Sequence, residues 1–270
     1  MDNTELLRPE SFFERAAEPT GQLFEGCRLV WEALPRISSL LKEALRGNVS
    51  EVGCFMQPLL QTVILWDDRV WREDFEILGG DTTKGTFTVR VGGRETAEAV
   101  VLYAGAVLWD EQIQLGAGTV VEPGALIKGP TIIGRHTEVR QGAYIRGKCI
   151  VGDRCVVGHT TEMKGSVLLD GAKAGHFAYI GDSILGRNTN LGAGTKLANL
   201  KLKGDTVRIP FKGHVIDTGL RKFGAIIGDD TELGCNAVTN PGTLLGSRSA
   251  VFPTVSVRSG YYAAHSVIRG

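Results

Sequence analysis

The chain has 270 residues, 43% of them hydrophobic and 22% charged, enough for one large domain or two modest ones with a true core. Lys plus Arg (30) equals Asp plus Glu (30), so the electrostatic footprint of a general nucleic-acid or anionic-membrane binder is missing and any anion site must be local. The longest apolar run, residues 99–109, is far short of a membrane span, and the polar start lacks a basic, signal-like region. Five cysteines without a CxxC fit neither a disulfide framework nor a zinc knuckle. A cytoplasmic protein is expected, with no nucleic-acid or membrane partner.

Residues 1–97 show no repeat and are expected to form a small N-terminal α+β cap on the open end of a solenoid built by the rest of the chain. Residues 12–17 and 29–45 read as helices, the second carrying Leu29, Ala33, Ile37, Leu40, Leu41 and Leu45 on one face, interrupted by Pro35 and ending at Gly47. Between 63 and 91, alternation and the glycine pairs at 79–80 and 92–93 indicate strands.

Glycine is abundant, 36 residues, with the excess after about position 115. A period of six appears there: Leu115, Val121, Ile127, Ile133, Val139, Ile145, Val151, Val157, Met163 and Leu169 are successive aliphatic anchors. Such a run arises by chance on the order of twice in ten thousand starting points at this hydrophobic content. Six residues suit a short strand and a tight turn, and three hexads make one coil of a parallel β-helix with its anchors stacked inward. The phase slips after Leu169 and resumes at Ala174, Ile180, Leu185, Leu191 and Leu197. It breaks over 200–224 and returns at Ile227, Leu233, Thr239, Leu245, Val251 and Val257. Residues 98–270 are therefore expected to form one β-helix domain with a loop at 200–224. That loop carries Lys201, Lys203, Arg208, Lys212, Arg221 and Lys222 against Asp205 and Asp217, a local positive patch suited to a phosphate.

The slipped stretch holds chemically capable side chains. Glu162, Met163, Lys164 is followed by Ala174, Gly175, His176, then Tyr179, Gly181, Asp182, then Asn190, Gly192, Ala193, Gly194, Thr195, and Asn199. Over roughly 100–260 this pattern resembles the acetyltransferase domain of the bifunctional N-acetylglucosamine-1-phosphate uridylyltransferase/glucosamine-1-phosphate acetyltransferases. It resembles still more the archaeal sugar-1-phosphate nucleotidylyltransferases that carry an amino-sugar-phosphate acetyltransferase domain, members of the hexapeptide-repeat acyltransferases.

The resemblance implies a left-handed parallel β-helix, a homotrimer with active sites between subunits, acetyl-CoA as co-substrate with no metal, and an amino-sugar 1-phosphate as acceptor, feeding nucleotide-sugar and cell-envelope biosynthesis. By the same resemblance His176 is the general base, and Arg146, Lys164, Tyr179, Asn190 and Asn199 hold the sugar phosphate or orient the acyl group. Lys222 lies in a matching G-x-R-K-x-G-A stretch, while Ala193 and Cys235 match positions near the CoA arm, the latter commonly a serine. The chemistry agrees: an ammonium is no nucleophile, so a base titrating near neutrality is needed, and a phosphate needs cations.

Departures from the family limit the expectation. The N-terminal residues supply no glycine-rich nucleotide loop, so no nucleotidyl transfer is expected, and a C-terminal arm closing the CoA site is expected to be short or missing. Two other classes compete. Zinc hydration enzymes of the γ-carbonic anhydrase type share the β-helix and use three histidines; His136, His159, His176 and His214 are available, but the close histidine pair is absent. A non-catalytic protein that binds a nucleotide sugar, or scaffolds a partner, is the other.

Overall fold

The computed structural model describes residues 3–14 and 19–270. From Val100 onward the chain winds into a parallel β-solenoid of about nine turns, each turn giving one two- to four-residue strand to each of three flat faces. Face 1 stacks Val100–Leu102, Val120–Val121, Glu138–Val139, Val156–His159, Lys173–His176, Asn190–Leu191, Glu232–Leu233, Ala250–Val251 and Val267–Ile268 in parallel register. Face 2 runs from Val107–Leu108 to Ser256–Val257, and face 3 from Ile113–Leu115 to Gly260–Tyr262.

The sixfold period becomes architecture because each strand points one side chain inward before the chain turns. Val121, Val139, Val157, Ala174, Leu191, Leu233 and Val251 form one inward column, and with the matching columns of the other faces they build a continuous core. One anchor differs from the expected phase. Leu168, not Leu169, pairs with Val151 and Leu185 and enters this core, whereas Leu169 is buried on the outside of the solenoid. Two aliphatic neighbours, each fully covered on a different side, disguise the slip.

Thr239 occupies an inward position between Leu197 and Val257 and is fully buried, and its hydroxyl finds no hydrogen-bond partner. Desolvating a lone hydroxyl costs on the order of 1–3 kcal/mol. Thr239→Val should therefore gain about 1 kcal/mol in denaturant unfolding, and a loss would show that the hydroxyl is satisfied in solution.

The buried thiols play a structural part. In the corner that joins face 3 to face 1, the hydroxyls of Thr119 and Thr137 donate to the next coil's carbonyls, Gly134 and Gly152 (2.6 and 2.9 Å), and the Cys155 thiol takes the equivalent place against Leu169 O at 3.2 Å. Burial pushes the Cys149 thiol up to about 12 and raises Cys155 further, so both are inert. All five cysteines are unpaired, and Cys235 is exposed. A thiol reagent at mildly alkaline pH should label Cys235 and half-buried Cys54 in the native protein and leave Cys149 and Cys155 until unfolding.

The N-terminal region divides in three, one part being a three-stranded antiparallel sheet of Phe75–Gly79, Thr88–Val91 and Arg94–Thr96. Val63–Trp66 pairs antiparallel with Val100–Leu102 and extends face 1 at the open end, and with Val49, Val52 and Leu59 it closes that end of the core. Residues 12–14 and 19–48, in contrast, lie along face 3. Its outward column, Ile132, Ile150, Val167, Ile184, Ile226 and Leu244, is buried against Phe12, Leu23, Trp31, Ile37 and Leu41. At one end Glu14 N donates to Asp229 Oδ2 (2.9 Å) and Arg248 pairs with Glu14; at the other Asn48 exchanges two bonds with Leu115 (2.8 and 3.0 Å).

The α-helix spans Ala33–Ala44, so Pro35 falls in the first turn, where its missing N–H costs nothing, and does not interrupt it. Of the expected 12–17 helix, residues 15–17 lie outside the described residues, and Phe12 and Phe13 follow a short 3-10 turn, Pro9–Ser11. Gly47 is needed for a close approach, not a cap: a Cβ there would sit 2.4 Å from Glu111 O.

Candidate functional site

The solenoid departs from its sixfold rule at the corner between faces 2 and 3, and three of these departures follow one another in successive coils. Met163 and Leu168, then Ile180 and Leu185, are five residues apart, and one coil later residues 198–224 bulge out at the same corner. Stacking brings these departures together. Lys164 Nζ binds both oxygens of Asp182 (3.0 and 2.9 Å), and Asn199 Nδ2 donates to Asp182 Oδ2. Asp182 O accepts Gly224 N at 2.8 Å, and Leu200 bridges to Lys222, so the return of the loop closes on the same cluster. Asp182, at φ 46, adopts a left-handed conformation that an L side chain rarely takes.

The outward column of face 2 fills the space beside this cluster: Tyr144, Glu162, Tyr179 and Lys196 follow one another in register. Arg146 NH1 donates to Glu162 Oε1 at 2.6 Å, which holds its guanidinium above the usual range. The Tyr179 hydroxyl donates to Asn199 Oδ1 at 3.4 Å, and burial, with Glu162 nearby, raises its phenol. Both expected phosphate cations are thus paired with carboxylates. Arg146 keeps further N–H groups free of Glu162, and Lys222 is exposed with no ion pair among the described residues.

The opposite edge of face 2, its corner with face 1, carries the histidine. His176 O accepts Gly194 N (3.0 Å) and Ala193 O accepts Asn236 N (2.8 Å), so His159, His176, Ala193 and Cys235 occupy equivalent places in successive coils. His176 is exposed. Between the two histidines stands Phe177, 54% exposed and at φ 52, its ring 5.2 Å from that of His159 and 6.1 Å from that of His176. The left-handed conformation belongs to the corner itself, since Thr160, in the equivalent place one coil earlier, shares it at φ 48. Gly158 permits the tight stacking here, because a Cβ on it would collide with Gly175 O of the next coil.

The expected site residues therefore fall on two sides. His176, Ala193 and Cys235 share one corner and Asn190 projects from face 1, whereas Lys164, Asn199 and Lys222 gather at the other corner, with Arg146 and Tyr179 between. The cleft that His176 lines includes none of Arg146, Lys164, Tyr179, Asn199 or Lys222. Asp182 and Glu162, to which sequence reading gave no role, organise the cationic side; both stood in the motifs, and only stacking reveals their partners. The cleft beside His176 and Asn190, on face 1, has a volume of about 370 Å³.

The basic loop is less solvated than its charge implies. Its hairpin, Arg208–Phe211 and His214–Asp217, buries Ile209 and Phe211 with Phe223 against the face-3 cluster, and Arg208 pairs with Asp217 at 3.3 Å. His136 faces Glu98 at 3.4 Å, far along the chain from the hairpin that carries His214. Among the described residues no three His, Cys, Asp or Glu side chains gather as a metal site would require, and no helix is long and apolar enough to cross a membrane.

Comparison with known proteins places the matched stretch over this site. The profile of the family described as the GMPPB C-terminal domain matches residues 127–220. The bifunctional sugar-1-phosphate nucleotidylyltransferase/acetyltransferase of Sulfurisphaera tokodaii is 38% identical over 97 residues, 36% of this chain and 24% of that protein. The bifunctional protein GlmU of Methanococcus maripaludis is 40% identical over 94 residues (35% and 23%), and that of Prochlorococcus marinus 30% over 143 (50% and 28%). The matched stretch spans about a quarter of the length of these relatives. Among solved structures, a UDP-N-acetylglucosamine acyltransferase of Francisella novicida aligns over 58% of this chain and 60% of that one at 14% identity and a TM-score of 0.36, too distant to inform the site. Over between a third and a half of its length, the chain is thus related in sequence to the acetyltransferase part of the bifunctional sugar-1-phosphate nucleotidylyltransferases and GlmU proteins.

Proposed function

We propose that the protein is an acetyl-CoA-dependent N-acetyltransferase acting on an amino-sugar 1-phosphate, glucosamine-1-phosphate before galactosamine-1-phosphate. The observation that carries this reading is the arrangement of face 2: an exposed histidine at one corner in line with Ala193 and Cys235, and a Lys164, Asp182, Asn199, Lys222 cluster at the other with Tyr179 between. Relatives named acetyltransferases share this part of the sequence, which supports the reaction class.

In this reading the neutral His176 imidazole takes a proton from the sugar amine as its nitrogen attacks the thioester carbonyl. The tetrahedral oxyanion accepts hydrogen bonds from a backbone amide or an asparagine side chain. Collapse breaks the carbon–sulfur bond, and the leaving thiolate recovers the proton from the imidazolium. The sugar phosphate takes the donors that Glu162 and Asp182 leave open on Arg146 and Lys164, together with Lys222. Because the two groups of residues stand apart in one chain, the site is completed by a second copy, and the assembly is a homotrimer. Light scattering that returns the 29.0 kDa monomer at micromolar concentration overturns the shared site.

The unpaired cysteines fit a reducing cytoplasm. The test of the activity is release of CoA thiol from acetyl-CoA with glucosamine-1-phosphate, galactosamine-1-phosphate and unphosphorylated glucosamine. Release with a phosphorylated amino sugar is expected; none with any acceptor overturns the proposal in favour of a binding or scaffold protein. Arg146→Ala should raise KM for the phosphorylated acceptor by the roughly 1.5–3 kcal/mol of a charge-assisted hydrogen bond, leaving KM for acetyl-CoA unchanged. Equal weakening toward free glucosamine contradicts the phosphate assignment.

A further inference from the structure

The cleft on face 1 has a wall that the solenoid does not supply. His176, Asn190 and Lys173 form one side; the other is the loop 81–84, which joins the strands Phe75–Gly79 and Thr88–Val91 of the N-terminal three-stranded sheet. The loop is rigid. Asp81 Oδ1 accepts the Thr83 hydroxyl (2.9 Å) and Lys84 N (3.1 Å), and Gly85 N donates to Thr82 O (2.9 Å). Thr82 is buried. The loop is also seated: Arg154 NH1 reaches from the solenoid to Thr83 O at 3.1 Å, and Gly85 lies against the His136 ring. Hydrogen bonds from Lys84 and Thr83 hold the Asp81 carboxyl down to about 2, so it is ionised throughout the physiological range.

The charges on the cleft cancel, Asp81 and Glu138 against Arg140 and Lys173, and Glu138 and Arg140 bind each other at 2.8 Å. Such a lining offers hydrogen bonds without net charge. It suits a hydroxyl-bearing sugar ring better than a phosphate, for which a second copy in the proposed homotrimer brings its cationic corner. The volume, about 370 Å³, is at the small end of ligand clefts.

We propose that the loop 81–84 is a specificity element of the acceptor site, closing the cleft beside His176 on a ring of monosaccharide size and rejecting acceptors that carry an added group on that side. The inference rests on the acetyltransferase reading and assigns the N-terminal sheet a part in it.

The test uses two variants of the full chain, with acetyl-CoA and two acceptors: the preferred amino-sugar 1-phosphate and the same sugar bearing an acyl group on O3. Thr83→Trp, which fills the cleft from its wall, should lower kcat/KM for the preferred acceptor at least tenfold with KM for acetyl-CoA within twofold. Arg154→Ala, which unseats the loop without touching its internal bonds, should raise the turnover of the O3-acylated sugar relative to the plain one at least tenfold. Wild-type protein that releases no CoA overturns the enzymatic reading and this inference with it. Active wild type with Thr83→Trp within threefold of it, or Arg154→Ala with an unchanged ratio, overturns the loop's role alone.

Discussion

His176→Ala should reduce kcat by the roughly 10² to 10⁴ expected when a general base is removed, with no change in unfolding midpoint. The stability half follows from the surroundings of the side chain, which is exposed and whose ring neighbour is Phe177 at 6.1 Å, so truncation leaves no cavity and no buried group without a partner. His176→Asn keeps a polar side chain without basicity and should be as inactive as alanine. A His176→Ala protein within tenfold of wild type would show that the base is elsewhere, or that the amine arrives already deprotonated.

Asp182→Ala is expected to cost stability as well as activity. Lys164 and Asp182 are about one-fifth exposed (23% and 20% of their side chains), and removal of the carboxylate strands a mostly covered ammonium and the Asn199 amide together. Breaking a fully buried pair in this way costs about 3–5 kcal/mol; with partial solvent screening about 2–4 kcal/mol is expected here, read from denaturant unfolding. The acceptor KM should rise in the same protein, since Lys164 loses the group that fixes its direction. Glu162→Ala is the control: Arg146 and Glu162 are more exposed (42% and 36%), so its stability change should stay below about 1 kcal/mol. Equal losses in the two variants would mean that the Lys164 pair is no more than another surface contact.

The solenoid was legible because a sixfold aliphatic period has few structural solutions. The slip was harder to place. Leu168 and Leu169 are both aliphatic and both buried, and only their opposite partners, the inner core and the layer outside face 3, tell them apart. The residue types of the site were visible in the motif, and so was their order, but not their pairing. Lys164, Asp182 and Asn199 are 17 or 18 residues apart from one to the next, one short coil each, a spacing that acquires meaning only once the coils are stacked. For the N-terminal region the sequence offers little to read. Of the apolar residues that cover face 3, those of the helix Ala33–Ala44 show a helical spacing, but the others follow no period, because they fit a surface already patterned by the coils. The loop 81–84 carries no motif at all; its relevance is purely a matter of where Arg154 seats it.

A solenoid held only by neighbour-to-neighbour contacts behaves as a one-dimensional chain of units, free to fray from either end while its middle persists. The segment along face 3 changes that statistical character. It is fastened at Asp229 and Arg248 near the last coils and at Leu115 in the first, and its apolar side chains touch the coils between, so it couples units that are not neighbours. Opening a terminal coil then requires lifting the segment from the whole face, and partial unfolding gives way to a single concerted event. Amide exchange should report this directly, with the protection of the coils that carry Ile132 and Leu244 rising and falling together, and with Trp31→Ala, which removes a fully covered indole, loosening both at once.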